Sequence, residues 1–269
     1  MKKAYRKEIV LWEIVFPLFV YYFMHLLIMI IARDFIGGEN EKYMLCQIIA
    51  DLITIPVIYF MIYRKCKNIV NAYEPSLPKR IADIVMIVVI FVFISWGLNN
   101  VIVMSPLVHM SPGFEQANEG FYGSVLGIEL IGSGLLAPVL EELVFRGIVY
   151  GSLRKITGMW PSVFISALLF GLVHFNIVQF IYALMLGIVL ALAMEYVGNV
   201  YGAIVGHMAA NTFAVLRTEL NLGMELTNQS FFAWIVSVCI LFSGIGLLLE
   251  PAVFFQVPYH LLECFQILY

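Results

Sequence analysis

The chain has 269 residues, of which 62% are hydrophobic and 12% charged, and its net charge is −3. Soluble domains carry about 25% charged residues, so with a mean hydropathy of +0.95 the composition excludes a soluble or peripheral protein and indicates an integral membrane one. The near-neutral balance gives no case for nucleic-acid binding, and the alternating short segments of a membrane β-barrel are absent.

The expected fold is therefore all-α, a polytopic transmembrane helix bundle, and the length allows about eight spans of ~20 residues. Lys2, Lys3, Arg6 and Lys7 precede an apolar run over 9–31. That run is too long for the core of a signal peptide and has no small-residue cleavage site, so it reads as a retained first span. Further spans are predicted at 43–63, 81–103, 123–151, 160–175, 178–197, 200–216 and 231–250. The fifth and seventh are short for a full crossing. Pro106, Pro112 and Gly113 mark 104–120 as an extramembrane loop. Residues 251–269 are aromatic and too short to span, which predicts an interfacial tail. Residues 1–250 thus form a single transmembrane domain, without internal repeats, whose motif-bearing core is 120–216. Cys46, Cys66, Cys239 and Cys264 are scattered without a CxxC pair, which argues against a disulfide framework or a thiolate metal site.

Basic residues set the expected orientation. Arg64, Lys65, Lys67, Lys79 and Arg80 follow the second span, Arg154 and Lys155 follow the fourth, and 104–120 has no Lys or Arg. The positive-inside rule places both termini and the even-numbered exits in the cytoplasm. At 1.5 Å per residue, Glu141 then lies ~16 Å inside the cytoplasmic end of its span, His174 ~20 Å, His207 ~12 Å and Asn211 ~18 Å. Residues distant in sequence reach similar depth.

These residues belong to three short patterns: Glu141-Glu142-Leu143-Val144-Phe145-Arg146, Phe170-Gly171-Leu172-Val173-His174 and His207-Met208-Ala209-Ala210-Asn211. Ionisable side chains at membrane depth are costly and by default mark function. Glu142 and Arg146 are four residues apart and face each other on a helix; the structural alternative is an ion pair tying two helices. Glu141 is turned about 100° away and has no local partner. Phe170 shares a face with His174, and His207 with Asn211. Asn211 alone would read as polar glue between helices. Pro138 can kink the helix and free carbonyls into a polar cavity. His25, His109 and His260 have no such company and read as structural or surface groups; Glu129 and Glu195 are left unexplained.

A carboxylate with an imidazole can activate water for attack on a peptide carbonyl, and an imidazole with an amide can stabilise the oxyanion. Alternatively Glu141, His174 and His207 hold zinc with water in the fourth position, although HExxH is absent. GxGD and GxSG patterns are absent too; Gly132-Ser133-Gly134 reads as a close-packing helix surface. A proton-relay transporter is a further alternative, without the inverted repeats it usually shows.

EExxxR, FxxxH and HxxxN, in that order on successive apolar helices, resemble the CPBP family of CAAX-protease and bacteriocin-processing endopeptidases, also called ABI. The resemblance covers roughly 120–216 and implies an eight-helix bundle with a cavity open to the cytoplasm and to lipid. It implies that Glu141 and His174 activate the water, that His207 and Asn211 form the oxyanion hole, and that Glu142, Arg146 and Phe170 support the site, without a cofactor. The implied substrate is a membrane-associated protein or peptide; some members act instead as scaffolds or immunity proteins.

Overall fold

The computed structural model describes residues 8–37, 39–63 and 76–249. The predicted tail, the basic residues 2–7 and 64–67, Cys66, Cys264 and His260 lie outside them. The described residues contain helices and no strand.

Helix α1 (Phe16–Ile36) follows wide π-type turns over Ile9–Val15 and stops at Gly37, whose φ of 116° a side chain would resist. Helix α2 (Asn40–Val57) widens into π turns over Ile58–Tyr63 just after Pro56, which cannot donate to the ladder. Then come α3 (Leu77–Met104), α4 (Pro112–Phe121) and a continuous helical run α5 over Leu126–Thr157. Gly158, at φ 92°, separates α5 from α6 (Met159–Leu172). Asn176 and Asn199 cap α7 (Ile177–Val197) and α8 (Val200–Glu219) by accepting from the Gln179 and Tyr201 amides. Helix α9 is Phe231–Leu249.

Every predicted span has its helix, but fewer qualify as crossings than the eight expected. Among the described residues five helices are long and apolar enough to cross a membrane: Trp12–Ile36, Lys42–Tyr63, Leu77–Met104, Ile177–Val197 and Phe231–Leu249. A sixth is counted if Gly113–Phe121 and Leu126–Thr157, bent by 106°, form one broken span. Helix α6 has 14 residues, about 21 Å at 1.5 Å per residue, less than the ~30 Å hydrocarbon core. Its polar residues keep α8 off the count. The 104–120 segment is also corrected: it contains α4, because Pro112 starts a helix well, needing no N–H at that position.

Large apolar side chains cover the outside, including Phe19, Phe23 and Leu26 on α1 and Phe232 and Phe242 on α9. Lipid offers no hydrophobic drive between helices, so close packing holds them together. Gly97 of α3 and Gly244 of α9 each leave space that a methyl would fill, within 2.5 Å of the Leu241 backbone and 2.7 Å of Ile94. Helix α5 sits centrally, packing against α1, α2, α6, α7 and α8, and contributes the buried Leu140, Phe145, Arg146 and Tyr150. It thereby holds the first motif in the middle of the bundle.

Candidate active site

Helix α5 is not regular around the motif. Leu130–Leu136 and Leu143–Tyr150 wind as π turns on either side of Ala137–Glu142, a distortion that recurs at functional sites. Ala137 donates to the Gly132 carbonyl, five residues back. The next bond in that ladder would run from residue 138 to the Ser133 carbonyl, but Pro138 has no N–H. Asn211 of α8 takes its place, its Nδ2 donating to the Ser133 carbonyl at 2.9 Å. Gly132 and Gly134 pack against Met44 and Thr212, as a close-packing surface should.

Glu142 and Arg146 are both fully buried, with Arg146 Nη1 donating to Glu142 Oε1 at 2.9 Å. The same oxygen accepts from Nδ1 of His207 at 2.8 Å. A carboxylate oxygen only accepts, so Nδ1 carries the proton. Nε2 of His207 is the nitrogen that faces Glu141, 3.8 Å from Oε2. The Glu141 side chain is 22% exposed whereas that of Glu142 is 0%. Two adjacent glutamates thus flank one imidazole, Glu142 bonded to Nδ1 from inside the protein and Glu141 near Nε2 at its accessible edge.

Phe170 joins the motifs. Its ring lies under Arg146 with 4.4 Å from Cζ to the centroid, a cation–π contact strengthened by burial. It meets His174 and His207 edge-on, with centroids 5.2 and 5.7 Å away. His174 Nδ1 is 2.9 Å from the Phe170 carbonyl. A carbonyl only accepts, so Nδ1 is the protonated nitrogen and Nε2 keeps a lone pair for a donor such as water. Six of the seven residues singled out from the motifs therefore fall on α5, α6 and α8, and His174 lies in the turn just after α6. Direct contacts link Glu141, Glu142, Arg146, Phe170, His174 and His207, and Asn211 bonds to the α5 backbone one turn along α8.

Among the described residues no three His, Cys, Asp or Glu side chains converge as metal ligands would. The alternative zinc set of Glu141, His174 and His207 is therefore not gathered as it stands, and each histidine has Nδ1 bonded to a protein oxygen and Nε2 left over.

The sequence reading missed several parts. Gly187 of α7 makes room for the guanidinium: a Cβ there would lie 2.8 Å from Arg146 Nη2. Glu195 accepts from Arg154 Nε at 2.8 Å and from the Tyr150 hydroxyl. Glu129 accepts from the Ser124 amide at 3.1 Å at the start of α5. Asp51 is 99% buried and bonded to His25, which the sequence gave no company. The i,i+4 pattern shows partners within one helix and is blind to such contacts between helices.

Residues 123–213 match the family described as "Type II CAAX prenyl endopeptidase Rce1-like". A curated relative, the "Putative membrane peptidase YdiL" of Bacillus subtilis (strain 168), is 30% identical over 87 residues. That alignment spans 32% of this chain and 36% of the relative. Buried helices carrying a Glu–Arg–His cluster define an integral membrane protein with a built polar centre. The motif-bearing segment is thus similar to that family.

Proposed function

We propose that this protein is an intramembrane endopeptidase that hydrolyses a peptide bond in a membrane-associated protein or peptide. The observation that carries this reading is the His207 imidazole held between the buried Glu142 and the partly exposed Glu141. The family match, described as a prenyl endopeptidase, and the relative, named a membrane peptidase, support it.

In this mechanism Glu141 accepts a proton from water while the lone pair of His174 Nε2 orients the same water. The hydroxide oxygen bonds to the carbonyl carbon. The resulting oxyanion accepts from Nε2–H of His207, an imidazolium whose Nδ1–H stays on Glu142, and from the Asn211 amide proton not used by Ser133. Collapse breaks the C–N bond, and Glu141 passes its proton to the leaving nitrogen. Glu142 and Arg146 hold His207 in orientation throughout and exchange no proton.

We place the site in the cytoplasmic half of the membrane, with 1–250 as one domain. Ion pairs Glu13–Lys155 and Arg154–Glu195, with the Tyr196 hydroxyl donating to Asp83, join the turns before α1, the start of α3 and the ends of α5 and α7. These belong to one end of the bundle, the end the basic residues assign to the cytoplasm.

The test uses the purified protein in liposomes with quenched fluorogenic peptides, farnesylated and unmodified. Glu141→Gln should abolish cleavage and leave folding intact, because an amide cannot take the water proton. Near-normal turnover by that variant overturns the mechanism.

A further inference from the structure

The short turn between α6 and α7 carries a residue outside the three motifs. Helix α6, at about 21 Å, is shorter than the ~30 Å hydrocarbon core, so residues 173–176 turn at membrane depth. Backbone that leaves a helix at such depth is tolerated where it is buried in protein or lines a water-filled cavity. This turn is not buried: Phe175 is 88% exposed, with Leu172 and Ile177 also exposed beside it. Lining the cavity is what remains, and His174, which immediately precedes Phe175, is itself a residue of the site.

Phe175 is held in a conformation that it resists. Its φ is +56°, the left-handed region where a Cβ crowds the following carbonyl and a bulky side chain is an outlier. Among the described residues the other non-glycines at positive φ are Asn221 and Gln229, both polar and both between α8 and α9. The neighbours of Phe175 enforce the turn. Asn176 Oδ1 accepts from the Gln179 amide at 2.8 Å, and its Nδ2 donates to Gln179 Oε1 at 2.6 Å and to the His174 carbonyl at 3.3 Å. The His174 amide donates back to the Gly171 carbonyl at 3.2 Å. Gly171 also lets α7 approach, since a Cβ there would lie 2.9 Å from the Phe180 carbonyl oxygen. These contacts fix the backbone on both sides of Phe175. Glycine or asparagine would suit the position better. Strain of this kind persists at active sites and ligand clamps, and here it holds an exposed ring that adds little to the packing of the fold.

We infer that Phe175 is a specificity-determining residue, its ring packing on apolar side chains of the substrate segment that lies across His174. This rests on the hydrolytic reading above. The occupant is the substrate rather than bulk lipid, because lipid chains wet any exposed apolar side chain and need none locked in a left-handed turn. An interfacial anchor is a poorer fit as well, since that task suits Trp and Tyr, which have a polar tip that Phe lacks. The ring touches no reacting atom and moves no proton. It binds substrate and transition state alike, so its loss acts on KM and leaves kcat.

The test uses the protein in liposomes with two quenched fluorogenic peptides, identical except that the leucines of one are serines in the other. Phe175→Gly removes the ring and the strain together. KM for the leucine peptide should rise about tenfold with kcat within about twofold, and the serine peptide should be cut as by the parent. Thermal unfolding should come at the same or a higher temperature. Phe175→Asn, also suited to positive φ, should repeat this pattern, and Phe175→Trp should keep the preference for leucine. A second arm needs no turnover: a fluorescein-labelled leucine peptide is titrated onto Glu141→Gln and followed by anisotropy, and adding Phe175→Gly should weaken Kd about tenfold. Losses equal on both peptides that track a lower unfolding temperature would make Phe175 a structural residue and overturn the inference, as would an unchanged KM. An active Glu141→Gln sinks the hydrolytic reading, whereas an unmoved Kd in that background sinks this inference alone.

Discussion

Two groups of charged residues in this bundle pair a glutamate with an arginine, and they differ in kind. At one end, Glu195 takes Arg154 and Tyr150, with the arginine side chain 33% exposed. In the middle, Glu142 takes Arg146 with both side chains at 0% and a third partner in His207. The first arrangement can be hydrated and ties helix ends together. The second is costly, leaving Glu142 Oε2 and Arg146 Nε and Nη2 without partners among the described residues. A fold does not need such a centre for stability, since well-packed apolar side chains serve as well or better. Its use is to fix an imidazole beside Glu141.

The sharpest way to break this comparison is at the two adjacent glutamates. Glu141→Gln should lower kcat by about 10³-fold or more at unchanged abundance, whereas Glu142→Gln should reduce abundance as well. Equal effects on folding, read by detergent-solubilised yield and thermal unfolding, would deny the division between them. Next comes Arg146→Ala, which strands a buried carboxylate and should cost about 3–5 kcal/mol; normal thermal stability would show that the central pair is not dehydrated. Gly187→Ala puts a methyl against Arg146 Nη2 and the Ala167 backbone. Such overpacking should cost about 1–3 kcal/mol and lower kcat by displacing the guanidinium, measured on the folded fraction. The end pair should be mild by contrast: Arg154→Ala should change stability by about 1 kcal/mol or less. A loss as large as that from Arg146→Ala would erase the contrast. The smallest expected effect is that of exhaustive chelation, which should leave turnover unchanged. One tightly bound zinc per chain, lost and restored together with activity, would replace the direct glutamate–water route.

Composition by itself determined the class, because a chain this apolar has to satisfy its backbone inside helices. Long apolar runs placed a helix at every predicted span, and the three motifs, each written at four- or five-residue spacing, pointed to the candidate site because neighbours on one helix are local in sequence. The missing donor was legible as well: Pro138 has no N–H whatever surrounds it. What tertiary structure decided were the partners across helices. Sequence spacing cannot show that Glu142 and Glu141 share one imidazole, that Asn211 completes the ladder Pro138 interrupts, or that Gly187 vacates the room Arg146 fills. Nor could it show that His25, which had no local company, meets Asp51 from the next helix. Contacts of that kind depend on the register and rotation of whole helices, set by packing summed over many side chains, so no short stretch of sequence carries them.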